Sequence, residues 1–206
     1  VSFEEDGATV MWIAEKSPGI RLLGIIAVGD AIKSNAAAAV SRLKAAGIET
    51  VMLTGDNARS AASVAQAVGV DRVIAEVLPA DKANEVAAMQ AAGRIVAMVG
   101  DGINDAPALA QADVGIAMGT GTDVAMHTAG ITLMRGDPEL IAAAIGVSGA
   151  TYSKIRQNLF WAFIYNIIGI PLAAAGLLSP VIAGAAMAMS SVSVVSNSLL
   201  LKRWKP

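Results

Sequence analysis

Between Gln157 and Leu201 the chain contains not one Lys, Arg, Asp or Glu. A soluble surface needs charged side chains, whereas a lipid-facing helix needs about 20 consecutive apolar residues. The run is long enough for two such helices, and it is punctuated by Pro171 in its first half and by Ser179-Pro180 near its middle. It reads as two spans, roughly 157–178 and 181–201, joined by a very short loop. Lys154 and Arg156 precede the first span, and Lys202, Arg203 and Lys205 follow the second. The excess of positive charge on cytoplasmic flanks then places both outer ends inside and the Ser179-Pro180 turn outside. The expected setting is the plasma (inner) membrane, with the soluble part and the C-terminus in the cytoplasm. A buried helical hairpin in a soluble protein is the competing reading, and the length of the charge-free run favours the membrane.

Composition narrows the rest. Of 206 residues 55% are hydrophobic and the mean hydropathy is +0.59, above the roughly 45–50% apolar content of soluble domains. A net charge of −2 gives no surface for nucleic acid, and the absence of Cys removes disulfide and zinc–thiolate chemistry. Val1 opens in mid-pattern without initiator Met or signal peptide, so an incomplete chain is expected.

Upstream of the charge-free run, strands and helices alternate. Residues 8–14 and 21–28 read as a β-hairpin turned at Glu15 to Gly19. Ser34 can cap a helix through Ala45, and Gly47 can end it. Strand 48–53 ends in Thr54-Gly55-Asp56-Asn57 and leads into a helix at about 58–68. A short strand near Val73-Ile74 leads to Leu78-Pro79-Ala80-Asp81-Lys82 and a helix through Ala92. Strand 95–99 carries Gly100-Asp101-Gly102-Ile103-Asn104-Asp105 and a helix to about Ala110. Strand 114–118, the glycine-rich turn 119–122, a helix and strand 131–134 follow, and Asp137-Pro138 starts a last helix. This alternation predicts an α/β fold with a parallel sheet.

The polar clusters fall at strand ends of that sheet, where ligands bind in open α/β folds. Asp101 and Asp105 suit Mg²⁺, a hard ion held by one or two carboxylates plus phosphate oxygens. Thr54 and the adjacent backbone N–H groups can hold phosphoryl oxygens, and Lys82 can neutralise charge as a phosphoryl group moves. Singly, each has a plain alternative: Asp, Asn and Gly are ordinary turn residues, and Lys82 could be a surface residue of its helix. His127, the sole histidine, has no acidic or sulfur partner near it in sequence and reads as structural.

Thr54-Gly55-Asp56-Asn57, Pro79-x-Asp81-Lys82 and Gly100-Asp101-Gly102-Ile103-Asn104-Asp105-Ala106-Pro107-Ala108-Leu109 resemble the later phosphorylation-domain motifs of P-type ion-pumping ATPases, members of the haloacid dehalogenase superfamily. The last string is highly specific to that family. The resemblance implies an incomplete Rossmann-like parallel sheet followed by a two-helix transmembrane hairpin. It divides the chain into the last hairpin of a nucleotide-binding domain (1–28), the C-terminal part of a phosphorylation domain (29–150), and the last two transmembrane helices with a cytoplasmic tail (151–206). Such pumps form an aspartyl phosphate from ATP within an Asp-Lys-Thr-Gly-Thr motif. Carried over by position, Thr54 and Gly55, with Asp56 in the same loop, bind the phosphoryl group of the nucleotide and Lys82 neutralises it. Asp101 ligates Mg²⁺, and Asn104 and Asp105 support phosphate and metal, Asp105 orienting the site. No Asp-Lys-Thr-Gly-Thr occurs in the 206 residues. The resemblance puts that nucleophile, six transmembrane helices and most ATP contacts before Val1. The chain alone is therefore expected neither to hydrolyse ATP nor to form an acyl phosphate.

The charge-free helices carry the information about the ion. Met187, Ser190 and Ser191 stand at i, i+3 and i+4. Asn158 and Tyr165 are seven apart with Asn166 adjacent. Polar groups in a bilayer face a bundle interior or a pathway, but Ser and Asn also join helices to one another, and Met can simply fill space. A thioether selects soft ions such as Cu(I). Met187-x-x-Ser190-Ser191, with Asn158 and Tyr165-Asn166 before Pro171, resembles the last two helices of the Cu(I)-exporting class, in which silver could use the same ligands. Related zinc, cadmium and lead pumps place a Lys and an Asp there, and both are absent. Asn158 lies roughly 10 Å along its helix from Tyr165, so all these groups cannot hold one ion together. The resemblance implies as partners membrane lipid, the upstream part of the same pump and a cytoplasmic copper donor. The alternatives are a non-enzymatic, membrane-anchored interaction module from a truncated gene and a pump for another soft or heavy metal.

Overall fold

A computed structural model describes residues 9–28, 31–119 and 123–204. The chain divides into two compact units, Val1–Ile141 and Ala142–Pro206.

The first unit opens with the expected hairpin. Strand β1 (Thr9–Glu15) pairs antiparallel with β2 (Arg21–Val28), with an irregularity between Ile13 and Ala14. Its residues do not alternate apolar with polar. Trp12, Ile13, Leu22 and Leu23 are all exposed.

The parallel strands form two ladders. β3 (Val51–Leu53) pairs with β4 (Arg72–Ile74), and β5 (Ala97–Gly100), β6 (Val114–Met118) and β7 (Ile131–Leu133) pair in that order. Among the described residues no ladder joins the two, so β3 and β5 are edge strands. The sequence pattern predicts strands but not which of them touch, since pairing is decided by what packs on them.

Helix α1 (Ala36–Ala45) starts at Asn35, not at the expected Ser34, and the chain leaves it through Gly47 at φ 75°. Helix α2 (Ala58–Val68) is capped by Asn57, whose side chain accepts from Ser60 N at 2.9 Å, and ends at Gly69 at φ 83°. Asn57 thus closes the Thr54-Gly55-Asp56 loop by starting the next helix. A 3₁₀ turn at Pro79–Asp81 feeds α3 (Lys82–Ala91), and another at Ile103–Asp105 feeds α4 (Ala106–Gln111). Helix α5 (Asp123–Thr128) lies between β6 and β7, with His127 exposed in its last turn. Positions 120–122 of the expected glycine-rich turn lie outside the described residues. Leu109, Ala117 and Ala125 form a buried cluster joined by Met98, Met126 and Ala129. Gly115 lets this cluster close, because a Cβ there would stand 2.6 Å from the Leu109 carbonyl oxygen.

Asp71 ties the start of β4 to the approach to β3. It accepts from Thr50 N and Thr50 Oγ1, both at 2.8 Å, and pairs with Lys44 Nζ at 2.8 Å. The Lys44 ammonium first, then the Thr50 bonds, hold its carboxyl at about 2, below the ordinary 3.8. A carboxyl lowered by folding adds stability above its unfolded value and loses it as pH falls through the folded one. Asp71→Asn should therefore flatten the acid dependence of the unfolding midpoint between the ordinary value, 3.8, and about 2. An unchanged slope in an acid titration followed by circular dichroism would sink the assignment.

Helix α6 (Glu139–Ala174) has 36 residues, about 54 Å at 1.5 Å per residue. The helix expected to start at Asp137-Pro138 begins at Glu139 and takes in most of the expected first span, roughly 157–178, but it continues through Pro171, expected to interrupt it, to Ala174. Proline lacks an N–H and its ring crowds the carbonyl four residues back, but its own carbonyl still accepts from Ala175 N at 3.0 Å. The end is set by Gly176 at φ 72°, with Leu177 N on Leu172 O and Gly176 N on Ala173 O. Ser179 then caps α7 (Pro180–Leu199), accepting from Ile182 N. Both helices are long and apolar enough to cross a membrane.

Within the second unit the facing sides of these helices are polar and small. The half-buried positions on α6 include Thr151, Lys154, Asn158, Ala162, Tyr165 and Gly169; on α7 they are Ala183, Ala186, Ser190, Ser193, Val194 and Asn197. Small residues let helices approach closely where lipid offers no hydrophobic drive. The outer faces, with Phe160, Phe163, Ile167, Met187, Val192 and Val195, are exposed.

Candidate functional site

Asp105 is the best-held group of the carboxylate loop. β5 ends at Gly100, and the chain folds into the Ile103–Asp105 turn, which brings the Asp105 side chain back over Gly100. A Cβ on Gly100 would stand 2.7 Å from Asp105 Cβ, so only glycine fits beneath it. Asp105 Oδ2 accepts from Gly102 N at 3.3 Å, and Oδ1 pairs with Lys82 Nζ at 2.7 Å. The side chains of Lys82 and Asp105 are 17% and 14% exposed, the least exposed of the ion pairs among the described residues. Lys82 is delivered there by the Pro79–Asp81 turn at the head of α3. Asp101 and Asn104, by contrast, are exposed.

The second group forms around Thr54 at the end of β3. Thr54 Oγ1 donates to Asp56 Oδ2 at 2.9 Å and accepts from Asp56 N at 3.1 Å. The backbone anchors this turn on the next strand: Thr54 N donates to Ile74 O, Val77 N to Thr54 O, and Glu76 N to Asp56 O. Glu76 takes a left-handed φ of 58° to do so. Its sequence carries no signal for this, since glutamate has no preference for that region. A Cβ on Gly55 would stand 3.3 Å from Val77 O, so the turn lies close against the segment after β4 that leads to Lys82.

The structure thus pairs Lys82 with Asp105 and Thr54 with Asp56, and leaves Asp101 and Asn104 open to solvent. No hydrogen bond among the described residues joins the two pairs. No cluster of three or more His, Cys, Asp or Glu able to hold a metal occurs among the described residues. The donor set still suits Mg²⁺: one exposed carboxylate at Asp101 beside Asp105 is what that ion takes when substrate phosphate completes its shell.

The polar residues of the charge-free helices separate into two sets. Asn158 and Tyr165 lie on the seam between α6 and α7. Asn158 Nδ2 donates to Ser198 Oγ at 2.8 Å, and Tyr165 OH lies 3.4 Å from Ser193 Oγ. Ser193 gives its own proton to Met189 O at 2.8 Å, which leaves Tyr165 as the donor. Ser190 is half-buried on the seam. Asn166, Met187 and Ser191 are exposed; Asn166 Nδ2 donates to Ala162 O and Ser191 Oγ to Met187 O. The expected common face of Met187, Ser190 and Ser191 is therefore split by the partner helix. Sequence reasoning overlooked Asn197 and Ser198, although an amide and a hydroxyl side by side near the end of an apolar helix are a readable signal.

These features match known proteins along nearly the whole chain. A family profile described as haloacid dehalogenase-like hydrolase matches residues 1–113. The copper-exporting P-type ATPase of Staphylococcus aureus (strain bovine RF122 / ET3-1) is 57% identical over 203 residues, 98% of this chain and 25% of that protein. The copper-exporting P-type ATPase of Staphylococcus haemolyticus (strain JCSC1435) is 58% identical over 202 residues, again 98% of this chain and 25% of its own length. The chain spans about a quarter of the length of the curated relatives it matches. A crystal structure of a zinc-transporting PIB-type ATPase in the E2.Pi state superposes with a TM-score of 0.84 at 38% identity, covering 97% of this chain and 32% of that one. The catalytic domain of a CPx-ATPase superposes with a TM-score of 0.52 at 26% identity, over 67% of this chain and 57% of its own. With its glycine-floored Asp105, the paired Lys82 and a profile match over residues 1–113, the chain belongs to the haloacid dehalogenase-like hydrolase family.

Proposed function

We propose that this chain is the C-terminal part of an ATP-driven pump that exports Cu(I), and that also accepts Ag(I), through an aspartyl phosphate formed elsewhere in the whole protein. The observation that carries the reading is the 57% identity to a copper-exporting ATPase over 98% of the chain, which takes in the phosphate loops and the charge-free helices alike. In this reading Thr54 and the Gly55 backbone receive phosphoryl oxygens, with Asp56 fixing the Thr54 hydroxyl. Lys82 offsets phosphoryl charge, and Asp105 holds its ammonium in place. Asp101 and Asp105 would hold Mg²⁺, which supplies Lewis-acid polarisation of the phosphoryl group when bound. Asn104, exposed on the same turn, supports the phosphate.

Asn166, Met187 and Ser191 lie on outer faces of α6 and α7 rather than in their seam. Polar groups at membrane depth that face away from one neighbour belong against another helix or a pathway. The rest of the membrane domain would supply that neighbour, and lipid the remaining surface. The seam groups Tyr165 and Ser190, with Asn158, would then stand behind the ion path. A cytoplasmic copper donor would load the pump at the inner, plasma membrane, where both flanks of the hairpin carry basic residues.

A pump for another metal is the second reading, favoured by the superposition on a zinc-transporting ATPase. The thioether of Met187 and the lack of carboxylate or Lys between Gln157 and Leu201 argue for the softer ion. Met187→Leu tests the choice. Leu and Met exchange at a cost below about 1.5 kcal/mol, so phosphorylation of the full-length protein by inorganic phosphate should persist. Cu(I) stoichiometry at the membrane sites and Cu(I)-stimulated turnover should both fall. Equal stoichiometry in the variant would retire Met187 as a ligand, and Zn²⁺-stimulated turnover exceeding that with Cu(I) would favour the second reading.

A further inference from the structure

The amide of Asn158 is engaged at both ends. Its Nδ2 donates to Ser198 Oγ at 2.8 Å, and its Oδ1 accepts from Asn197 Nδ2 at 2.8 Å. Asn197 Oδ1 in turn accepts from Lys154 Nζ at 2.9 Å, and Ser198 Oγ donates to Val194 O at 2.8 Å. Hydrogen bonds therefore run in one direction, from Lys154 through Asn197, Asn158 and Ser198 to the Val194 carbonyl, crossing repeatedly between α6 and α7. An ammonium only donates and a carbonyl only accepts. Both ends of the chain thus fix its polarity, and neither amide can flip without setting donor against donor. A one-turn slip of α7 would present Ser193 or Leu201 in place of Asn197. Elsewhere on the seam the polar contact is the longer one, Tyr165 to Ser193 at 3.4 Å. A polar amide set between packed helices is known to specify their register at some cost in stability.

We propose that this directed chain is a register clamp between α6 and α7, and that Asn158 is a positioning residue, not a ligand of the transported ion. The clamp holds the Tyr165–Asn166 step of α6 at a fixed height against Met187 and Ser191 on α7. While it does so, both polar atoms of the Asn158 amide are already partnered on α7. The consequence for the ion rests on the pump reading; the clamp itself does not.

The sequence has no Cys, so spin labels on cysteines placed at the exposed Ile167 and Val192 report the helix–helix distance in liposomes without background. The otherwise unmodified chain should give one narrow distance. Asn158→Leu and Asn197→Leu should both lose it, becoming shifted or multiple, so poor folding of one variant cannot hide the result. Asn197→Asp should keep it. A carboxylate still accepts from Lys154, the Asn158 amide turns its Nδ2 toward it, and the Ser198 hydroxyl reverses to donate to Asn158. A narrow, unshifted distance in both Leu variants overturns the clamp, as does its loss in Asn197→Asp. In the full-length protein, Cu(I) bound per chain should fall in both Leu variants and persist in Asn197→Asp. Cu(I) loss in Asn158→Leu with an unshifted distance would make Asn158 a ligand and overturn the proposal. If the unmodified protein binds no Cu(I), the pump reading fails while the distances still decide the clamp.

Discussion

Asp101→Ala should abolish ATP turnover in the full-length protein while leaving the fold intact. Asp105 is already committed, with one oxygen on Lys82 and the other on the Gly102 N–H. Its charge is largely offset before any cation arrives. Asp101 is exposed at the end of β5, and in the proposed reading it would be the more open of the two carboxylates that hold Mg²⁺. Metal polarisation of a phosphoryl oxygen contributes several kcal/mol, and each 1.36 kcal/mol is about tenfold in rate. A loss of roughly a thousandfold or more in turnover is therefore expected. Since the side chain is exposed, the unfolding midpoint should hardly move. Acid-stable phosphorylation by ATP, measured across a Mg²⁺ titration, is the direct check. A near-normal rate at ordinary Mg²⁺ would show that the metal is held elsewhere.

Lys82→Ala should damage both stability and turnover, and the two can be separated. It strips the counter-ion from a carboxylate that is 14% exposed. An unpaired group in such a place costs about 1–3 kcal/mol, short of the roughly 3–5 kcal/mol for a fully buried pair. Adding Asp105→Asn removes the stranded charge, so the double variant should recover part of the unfolding midpoint. Turnover should not recover, because in the proposed reading the cation that offsets phosphoryl charge and one carboxylate that would hold Mg²⁺ are then both missing. Full recovery of phosphorylation in the double variant would reduce Lys82 to a structural partner of Asp105. If Lys82→Ala leaves the midpoint unchanged, the ion pair contributes nothing to stability.

Local residues were enough to predict much of this molecule. The charge-free run from Gln157 to Leu201 dictates two long apolar helices, whatever else the chain does. Gly47 marks a helix end because it works through its own backbone. Asp101, Asn104 and Asp105 were legible as a group, because a glycine-bent turn after an apolar strand puts them at the carboxyl end of a sheet. What depends on distant partners was not legible. Nothing local says that the parallel strands split into two ladders, that Glu76 goes left-handed to carry Asp56, or that Lys82 closes on Asp105. On the helices, i, i+3, i+4 spacing grouped Met187 with Ser190 and Ser191. In the fold Ser190 is half-buried and the other two are exposed. Asn158 could be read as ligand or as glue until Asn197 and Ser198 stood opposite both ends of its amide. Sequence alone determined which side chains can carry chemistry and which element each sits on, because periodicity and capping are local. The tertiary structure decided which of those groups already have partners, because a hydrogen bond needs the facing atom and that atom lies tens of residues away.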